Sequence, residues 1–446
     1  MNAVEQVTAA VASALAAHVG AHEHVCVALS GGMDSVVLLD AVANIRNDVS
    51  AVHVHHGLSP NADEWAKFCQ HLCETRGIPL AVHRVSVDVK GQGIEAAARA
   101  ARYAVYSTVD ARWILQGHHA DDAAETLLLR LNRGTGLRGL AGIPMSRALG
   151  PTRRLLRPFL RLPRAVLREY SQARKLEWIE DESNHDTRLD RNFLRNTVVP
   201  ALSARFPHWR ENWLRAADHV REAYGLLEDL AKLDAGEAPQ QLSLVRLRAL
   251  SSERLRNVLR YFLAVHGAEL PDTGHLADIE RRIRGCGSES VLGIRVGERA
   301  LMHYRGELFC TPARCLSEPA DVLRPFHAGE TLSIPELQGT LHFDPVMGSG
   351  IVRSSTGMEP MVVRGQGQPA AMRLSHKRPT RTLKNLFQEA GVPPWERAWL
   401  PRIFLGNDLV WVAGIGIAAH YQAAPGEPGL QPRWEPWSSG PAPDWR

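Results

Sequence analysis

A chain of 446 residues is too long for one compact core, so two or three domains are expected. Hydrophobic residues make up 45% of the chain and charged residues 22%, which excludes a disordered protein, and the apolar run from Leu409 to Ala419 is too short to cross a membrane. The net charge is only +4 and the six cysteines form no CxxC pair, so we expect a cytoplasmic protein without disulfides.

The first third of the chain alternates between strand-like and helix-like segments after an amphipathic N-terminal helix. Strands are predicted at 25–29, 49–54, 80–87 and 113–116, and helices at 35–45, 63–76, 93–110 and 121–132. This alternation predicts an α/β fold in which helices cover both faces of a parallel sheet. Ligands of such sheets bind beyond the carboxyl ends of the strands.

Beyond residue 200 the pattern changes to helical spacing, and then to short strands with Gly and Pro turns. The predicted domains are an α/β domain over 1–215, a mainly helical middle domain over 216–325 and a small mixed α/β domain over 326–423. The last stretch, 424–446, is rich in Pro and Gly, and we expect it to be loosely ordered.

A glycine turn joins the first strand to the first helix. Two glycines allow a tight turn whose N–H groups face an anion, and the helix N-terminus adds its positive dipole end. The sequence is neither a Walker loop nor a GxGxxG turn, because no Gly-Lys-Ser/Thr follows. The predicted phosphate-binding residues are Ser30, Gly31, Gly32, Met33, Asp34 and Ser35.

Asp34 is unexpected in a phosphate loop, since a carboxylate repels phosphates unless it holds a metal ion or accepts a proton. Mg²⁺ is the metal that this position favours. The alternative is that Asp34 only caps the helix that follows.

A second polar cluster, GHHADDAAET over 117–126, ends the fourth strand and opens a helix. Asp121 and Asp122 lie four and three residues before Glu125, so their side chains share one helix face with it. Together with the histidines they are suited to a small cation or Mg²⁺. Helix capping is an alternative, and a zinc site is another, although HExxH spacing and paired cysteines are missing.

Basic side chains concentrate in two stretches of this weakly charged chain. The first stretch contains Arg153, Arg154, Arg157, Arg161, Arg164 and Arg168, and the second contains Arg373, His376, Lys377, Arg378, Arg381 and Lys384. Arginine is suited to bidentate contacts with phosphate. The two stretches favour a large polyanionic partner over the alternative of a solvated helix face.

The order of the motifs resembles that of the tRNA(Ile)-lysidine synthetase family, within the PP-loop ATP pyrophosphatases. SGGxDS alone indicates only the superfamily, whereas GHHADDAAET followed by an RGxGxxGL loop is far more discriminating. The resemblance is strong over residues 21–215 and resumes at 383–397, and the intervening chain is similar only in length and helical character. The shared motifs are SGGMDS, HVHHGLS, GIEAAARAARY, GHHADDAAET, LNRGTGLRGLAGIP and RNFLR.

The resemblance implies an enzyme that uses ATP and Mg²⁺ to adenylate the wobble cytidine of the CAU anticodon of tRNA(Ile). The amine of free L-lysine then displaces AMP, which leaves lysidine. The implied catalytic residues are Asp34, Arg99 and His118, and the implied lysine-binding residues are Asp121, Asp122 and Glu125. The resemblance also implies that the middle and C-terminal domains bind tRNA. The implied tRNA-binding residues are Arg133, Arg138, Arg191, Arg195, Lys377, Arg378, Arg381 and Lys384.

Two departures from the family pattern concern remote tRNA contacts. An RxGGE-like element is replaced by RGQGQ over 364–368, and Asn385 stands where a second lysine is usual. Two alternatives stay open: a related enzyme that thiolates tRNA, and a non-catalytic RNA-binding protein. A homodimer is also left open.

Overall fold

The computed structural model describes residues 1–87, 93–180, 182, 187–236, 239–287, 292–320, 322–327, 329–352, 361–364 and 371–437. The chain divides into two compact units, Met1–Leu226 and Leu227–Arg446. Within the described residues no helix has the length and apolar character to span a membrane.

The first unit is built on a six-stranded sheet in the order β3-β2-β1-β4-β6-β5. Its strands are β1 (Val25–Ala28), β2 (Val49–His55), β3 (Leu80–Arg84), β4 (Trp113–Leu115), β5 (Ser146–Leu149) and β6 (Arg153–Leu156). All neighbours are parallel except β5 and β6, which form an antiparallel hairpin. The predicted parallel sheet is therefore confirmed, and the hairpin extends it.

Helices cover both faces of this sheet. The helices that begin in the first unit are α1 (Ala3–His18), α2 (Met33–Ala43), α3 (Ala62–Glu74), α4 (Ile94–Tyr106), α5 (Ala120–Asn132), α6 (Leu137–Leu140), α7 (Arg164–Ala173), α8 (Asp190–Phe193), α9 (Val199–Arg205) and α10 (Trp209–Ala235). Helices α1, α2, α3 and α7 share one apolar cluster with the sheet, and α4 packs in a second cluster. A π-helical turn, Leu194–Val198, separates α8 from α9.

The burial of β1 explains why the glycine turn is held firmly. All four residues of this central strand are buried. On α2, Val36 to Leu39 are also buried, and each such side chain contributes about 1.5–3 kcal/mol when removed from water. The loop between β1 and α2 is thus fixed at both ends by the core.

The second unit begins with three helices packed on a four-stranded antiparallel sheet in the order β7-β10-β9-β8. The helices are α11 (Leu244–Ala249), α12 (Ser252–Val265) and α13 (Thr273–Gly285), and the strands are β7 (Gln241–Ser243), β8 (Gly293–Val296), β9 (Arg299–Tyr304) and β10 (Glu307–Pro312). Helical spacing followed by short strands is what the sequence predicts here.

The rest of the second unit is rich in β-structure. One sheet joins β11 (Leu323–Phe326), β15 (Met361–Arg364), β18 (Arg402–Leu405), β19 (Asp408–Val412) and β20 (Gly416–Ile417). Another joins β12 (Leu332–Ile334), β13 (Gly339–Met347), β21 (Pro428–Pro436) and β14 (Ile351–Val352). The remaining elements are β16 (Ala371–Met372), β17 (Arg381–Thr382), α14 (Leu383–Glu389) and α15 (Pro394–Arg397).

The expectation that residues 424–446 are loosely ordered is wrong for residues 428–436, and residues 438–446 lie outside the described part of the chain. Residues 428–436 form β21, which pairs with the whole length of β13. Proline is tolerated where its missing N–H is not needed by the neighbouring strand. Of the RGQGQ element only Arg364 is described, and residues 365–368 lie outside the described part of the chain.

Candidate active site

The glycine turn forms a cradle at the carboxyl end of β1. Gly31 has a φ of +91°, and a Cβ there would lie 2.7 Å from the side chain of Ile179, so glycine is required. The Ser30 and Ser35 hydroxyls are 3.1 Å apart. No side chain caps α2 at Gly32, so the N–H groups of its first turn are available to an anion.

Asp34 lies in the first turn of α2, and its two carboxylate oxygens have different surroundings. Its Oδ2 lies 3.6 Å from Nε2 of His119. Its Oδ1 is buried without a hydrogen-bond partner, and Arg164 Nε lies 3.8 Å from it. A buried carboxylate oxygen beside a phosphate cradle fits a Mg²⁺ ion, which binds proteins through one or two carboxylates together with substrate phosphates.

The turn between β4 and α5 lies directly against this cradle. A Cβ on Gly117 would meet the backbone oxygen of Asp34 at 2.7 Å, so glycine permits the close approach. His119 then caps α5: its ring accepts a hydrogen bond from the Asp122 N–H, and the Asp122 carboxylate accepts one from the His119 N–H. This reciprocal cap fixes the acidic residues at the helix start.

His119 connects the phosphate cradle to the acidic cluster. Its Nε2 lies 3.6 Å from Asp34 and 3.4 Å from Asp122. Burial opposes a charge on this ring, but Asp122, Asp34 and Asp121 together raise the pKa of His119. The two motifs that are distant in sequence therefore share one site, as the sequence predicts.

Asp122 and Glu125 share two guanidinium groups. Arg191 lies 3.1 Å from Asp122 and 3.0 Å from Glu125, and Arg195 lies 3.2 Å and 2.7 Å from the same two carboxylates. Glu125 is only 3% exposed. Burial alone would raise the pKa of Asp122, but His119 and Arg191 lower it to about 2, so Asp122 is ionised near pH 7 and attracts cations.

Arg191 lies on α8 and Arg195 in the π-helical turn, so these two predicted tRNA-binding residues face the predicted lysine-binding residues. Asp121 points elsewhere. It lies 2.7 Å from Arg210 on α10 and accepts a hydrogen bond from the Arg164 N–H at the start of α7. The structure therefore separates Asp121 from the shared pair formed by Asp122 and Glu125.

His118 is half-buried, and Asp122 lies near enough to act on its charge. Burial, reinforced by the positive fields of Arg157, Arg191 and Arg99, lowers the pKa of His118 to about 4, although Asp122 opposes this shift. Its Nδ1 has no hydrogen-bond partner. His118 is therefore neutral near pH 7 and has a ring nitrogen available to a ligand.

A cavity of about 510 Å³ opens at the carboxyl ends of β2 and β3, lined by residues 56–58 and 84–87. Burial, followed by the charge of Arg102, lowers the pKa of His56 to about 4, and its Nδ1 has no partner. The volume is typical of a small-molecule site. The motif at 53–59 predicts a ligand site at this edge of the sheet. Nothing in the sequence around Ser86 and Val87 indicates that these residues line it.

The remaining predicted tRNA-binding residues lie on surfaces. Arg133 is exposed and 3.4 Å from Asp190, and Arg138 is exposed on α6. In the second unit Lys377, Arg378 and Lys384 are exposed, and Arg381 forms an ion pair with Glu389.

Two further arginines reach the acidic cluster without belonging to a site motif. Arg210 pairs with Asp121, and Arg164 lies near Asp34. The sequence indicates Arg164 only as a member of the arginine-rich stretch, and it gives no signal for Arg210.

A phosphate cradle at the carboxyl end of a central parallel strand, with an aspartate in its first helical turn, defines an ATP-binding protein of the PP-loop class. Residues 3–202 match a family model described as the PP-loop domain. Residues 242–309 match the TilS substrate binding domain, and residues 361–434 match the TilS substrate C-terminal domain.

Similar curated proteins carry one name, tRNA(Ile)-lysidine synthase. That of Nitrosomonas europaea is 39% identical and covers 95% of this chain and 94% of its own length. That of Aromatoleum aromaticum is 41% identical over 94% of this chain and 99% of its own. That of Pseudomonas aeruginosa is 39% identical over 93% and 94%. The chain belongs to the tRNA(Ile)-lysidine synthase family.

Proposed function

We propose that this chain ligates L-lysine to C2 of the wobble cytidine in the CAU anticodon of tRNA(Ile). ATP first adenylates the C2 oxygen and releases pyrophosphate, and the lysine amine then displaces AMP. Mg²⁺ at Asp34, a cytoplasmic location and a homodimer belong to the same proposal. A bound Mg²⁺ would neutralise phosphate charge, and Asp34 Oδ1 would hold it.

The observation that carries this proposal is the His119 bridge. It holds the phosphate cradle and the carboxylates within one site, with 3.6 Å to Asp34 and 3.4 Å to Asp122. A two-step ligation needs the nucleotide phosphates and the attacking amine close together, because the second step must follow on the same base.

Asp122 and Glu125 supply negative charge for a cationic amino acid. Their oxygens are satisfied by Arg191 and Arg195 in this structure, so the ammonium of lysine would replace a guanidinium. The attacking amine must be neutral. Its proton must therefore pass to a neighbouring carboxylate or histidine, which acts as the general base before the amine attacks C2 and AMP leaves.

Arg99 and His118 act on the base and the departing AMP in this proposal. Arg99 is exposed in the middle of α4, and its positive charge contributes to the lowered pKa of His118. The neutral His118 ring can hydrogen-bond the cytosine or the incoming amine through Nδ1. A base in the anticodon loop is reachable, since a single-stranded base can be turned out of its stack.

The cysteines argue against the thiolation alternative. Burial raises the pKa of Cys69 to about 12, and the pKa values of Cys26 and Cys73 to about 11. Sulfur transfer requires an accessible thiolate. The intact acidic cluster likewise argues against a protein that only binds RNA.

The test is incubation of the protein with ATP, radiolabelled lysine and a panel of tRNA transcripts. We expect label on the CAU-containing isoleucine transcript alone, and pyrophosphate exchange into ATP only when that transcript is present. Exchange without RNA, or no transfer of label, would contradict the proposal.

Glu125→Gln tests the lysine site in the same assay. Removing a buried charge that faces the ammonium should raise the lysine concentration at half-maximal rate about 10–100-fold, while RNA-dependent pyrophosphate exchange persists. Glu64→Gln, on the surface of α3, is the matched control. An unchanged lysine dependence would remove Glu125 from the lysine site.

A further inference from the structure

Three arginines gather round one tyrosine beside the candidate active site. The guanidinium carbons of Arg99 and Arg147 lie 5.1 Å and 4.9 Å from the ring centre of Tyr103. Arg99 also donates a 3.1 Å hydrogen bond to the Tyr103 hydroxyl. Arg157 approaches the same phenol: burial opposes ionisation of Tyr103, yet Arg99, Arg157 and Arg147 together lower its pKa.

These positive charges are not neutralised within the described part of the first unit. No carboxylate among the described residues forms an ion pair with Arg99, Arg147 or Arg157. Arg157 is only 2% exposed; it donates a hydrogen bond to the Pro144 carbonyl, and its Nε has no partner. Burial, with repulsion from Arg147 and Arg99, lowers the pKa of Arg157. An uncompensated buried cation is costly, so the cluster is suited to an anion.

The cluster adjoins the reacting groups. Arg157 follows Leu156, which pairs with Leu115 of β4 and accepts a 2.9 Å hydrogen bond from the Gln116 N–H, so Arg157 lies beside the turn that carries His118 and the His119 bridge. The chain approaches this point from three elements: α4 with Arg99 and Tyr103, β5 with Arg147, and the segment after β6 with Arg157. The phosphate cradle is a separate structure at the end of β1, so the arginines are additional to the triphosphate site.

We propose that Arg99 and Arg147, which lie against Tyr103 and are backed by the buried Arg157, form a phosphate site that holds the RNA backbone next to the base under modification. A guanidinium group can bind two phosphate oxygens at once. Arg99 and Arg147 are both exposed, which leaves room for an RNA strand to continue on both sides of the bound phosphate. Clamping one phosphodiester would fix the turned-out base over His118. The inference rests on the proposed function for the identity of the RNA.

The test uses Arg147→Gln, because Arg147 is exposed on the edge strand and its replacement leaves the core intact. Lysine transfer is measured in a single turnover on RNA whose anticodon-loop phosphates are replaced, one at a time, by neutral methylphosphonates. We expect one replacement to slow the wild-type protein about 10-fold or more. Arg147→Gln should slow lysine transfer to native RNA by a similar factor. Its rate should not fall further when that same phosphate is replaced.

Arg112→Gln is the matched control, since Arg112 precedes β4 at the opposite end of the strand and pairs with Glu23. Arg147→Gln could instead bind an ATP analogue more weakly and respond to each methylphosphonate as the wild-type protein does. That result would assign the arginines to the nucleotide and overturn the proposal. Additive reductions in rate from the variant and every methylphosphonate would overturn it as well.

RNA binding is measured separately from lysine transfer, so that the phosphate site can be tested even if transfer itself fails. Arg147→Gln should lower the slope of log affinity against log salt by about 1, because one phosphate is no longer neutralised. An unchanged slope would count against the site.

Discussion

His119 is the residue on which the candidate site depends, and its role is electrostatic as well as structural. In its neutral form the ring caps α5 through Nδ1, and in either form it lies between two carboxylates, at 3.6 Å and 3.4 Å. A histidine whose pKa is raised on folding binds its proton more tightly in the folded state. Its contribution to stability is therefore full below the unfolded pKa of about 6.5 and is lost as the pH rises through the folded value.

His119→Asn separates these two roles, because asparagine still caps a helix but carries no charge. We expect the wild-type protein to melt at a higher temperature than the variant at pH 6, because the folded state binds the His119 proton more tightly than the unfolded state does. The difference should shrink toward pH 9. Calorimetry at three pH values measures it, and a difference independent of pH would contradict the charge assignment.

At the scale of elements, the close approach of two turns creates the site. The β4–α5 turn reaches the β1–α2 turn because Gly117 has no side chain, and the Asp34 backbone occupies the space where a Cβ would stand. A Cβ on Gly117 would lie too close to the carbonyl oxygen and carbonyl carbon of Asp34, and both atoms belong to the backbone. A methyl group there must therefore displace one turn from the other.

Gly117→Ala should therefore weaken binding of an ATP analogue by about 10-fold and destabilise the first unit by about 1–3 kcal/mol. RNA binding should change little, because the exposed basic side chains are untouched. Gly225→Ala is the control, since a Cβ at Gly225 meets nothing within 4 Å. Unaltered ATP affinity in Gly117→Ala would mean that the two turns can separate without disrupting the nucleotide site.

The elements also explain which parts of the molecule could be predicted from sequence. Alternating strands and helices are local patterns, so β1 to β4 and the phosphate cradle follow from spacing and turn chemistry. The hairpin of β5 and β6 is not predicted, because Arg153 and Arg154 interrupt the apolar pattern of β6, and Arg147 interrupts that of the edge strand β5. In the arginine-rich stretch, Arg153 donates to the Val109 carbonyl and Arg161 pairs with Asp218, so several members serve the fold rather than a partner.

The pairing of Arg191 and Arg195 with Asp122 and Glu125 has no local signal. These contacts join residues 66 to 73 positions apart, and a single sequence does not say which distant charges meet. The spacing of Asp121 from Glu125 suggests one common face, yet Arg210 engages Asp121 instead. Helix geometry thus predicts which carboxylates are neighbours, and tertiary packing decides which cations they meet.

At the scale of the whole molecule, basic side chains are concentrated in local stretches even though the net charge is only +4. In the second unit Lys377 and Arg378 are exposed in a loop that Arg373 supports through hydrogen bonds to the carbonyl groups of Arg378 and His376. An arginine that holds the backbone of such a loop keeps the neighbouring charges directed at solvent. Lys377 and Arg378 have no carboxylate partner among the described residues.

Replacing Lys377 and Arg378 together by glutamine should weaken tRNA binding and lower the slope of log affinity against log salt by about 1 to 2, one for each phosphate that is no longer neutralised. ATP-analogue affinity and the pyrophosphate exchange rate at saturating RNA should be unchanged, because those depend on the first unit. Arg433→Gln is the matched control, since Arg433 already pairs with Glu435 at 3.0 Å and Asp344 at 3.6 Å. Equal slopes for the double variant and the wild-type protein would show that this loop does not bind phosphate.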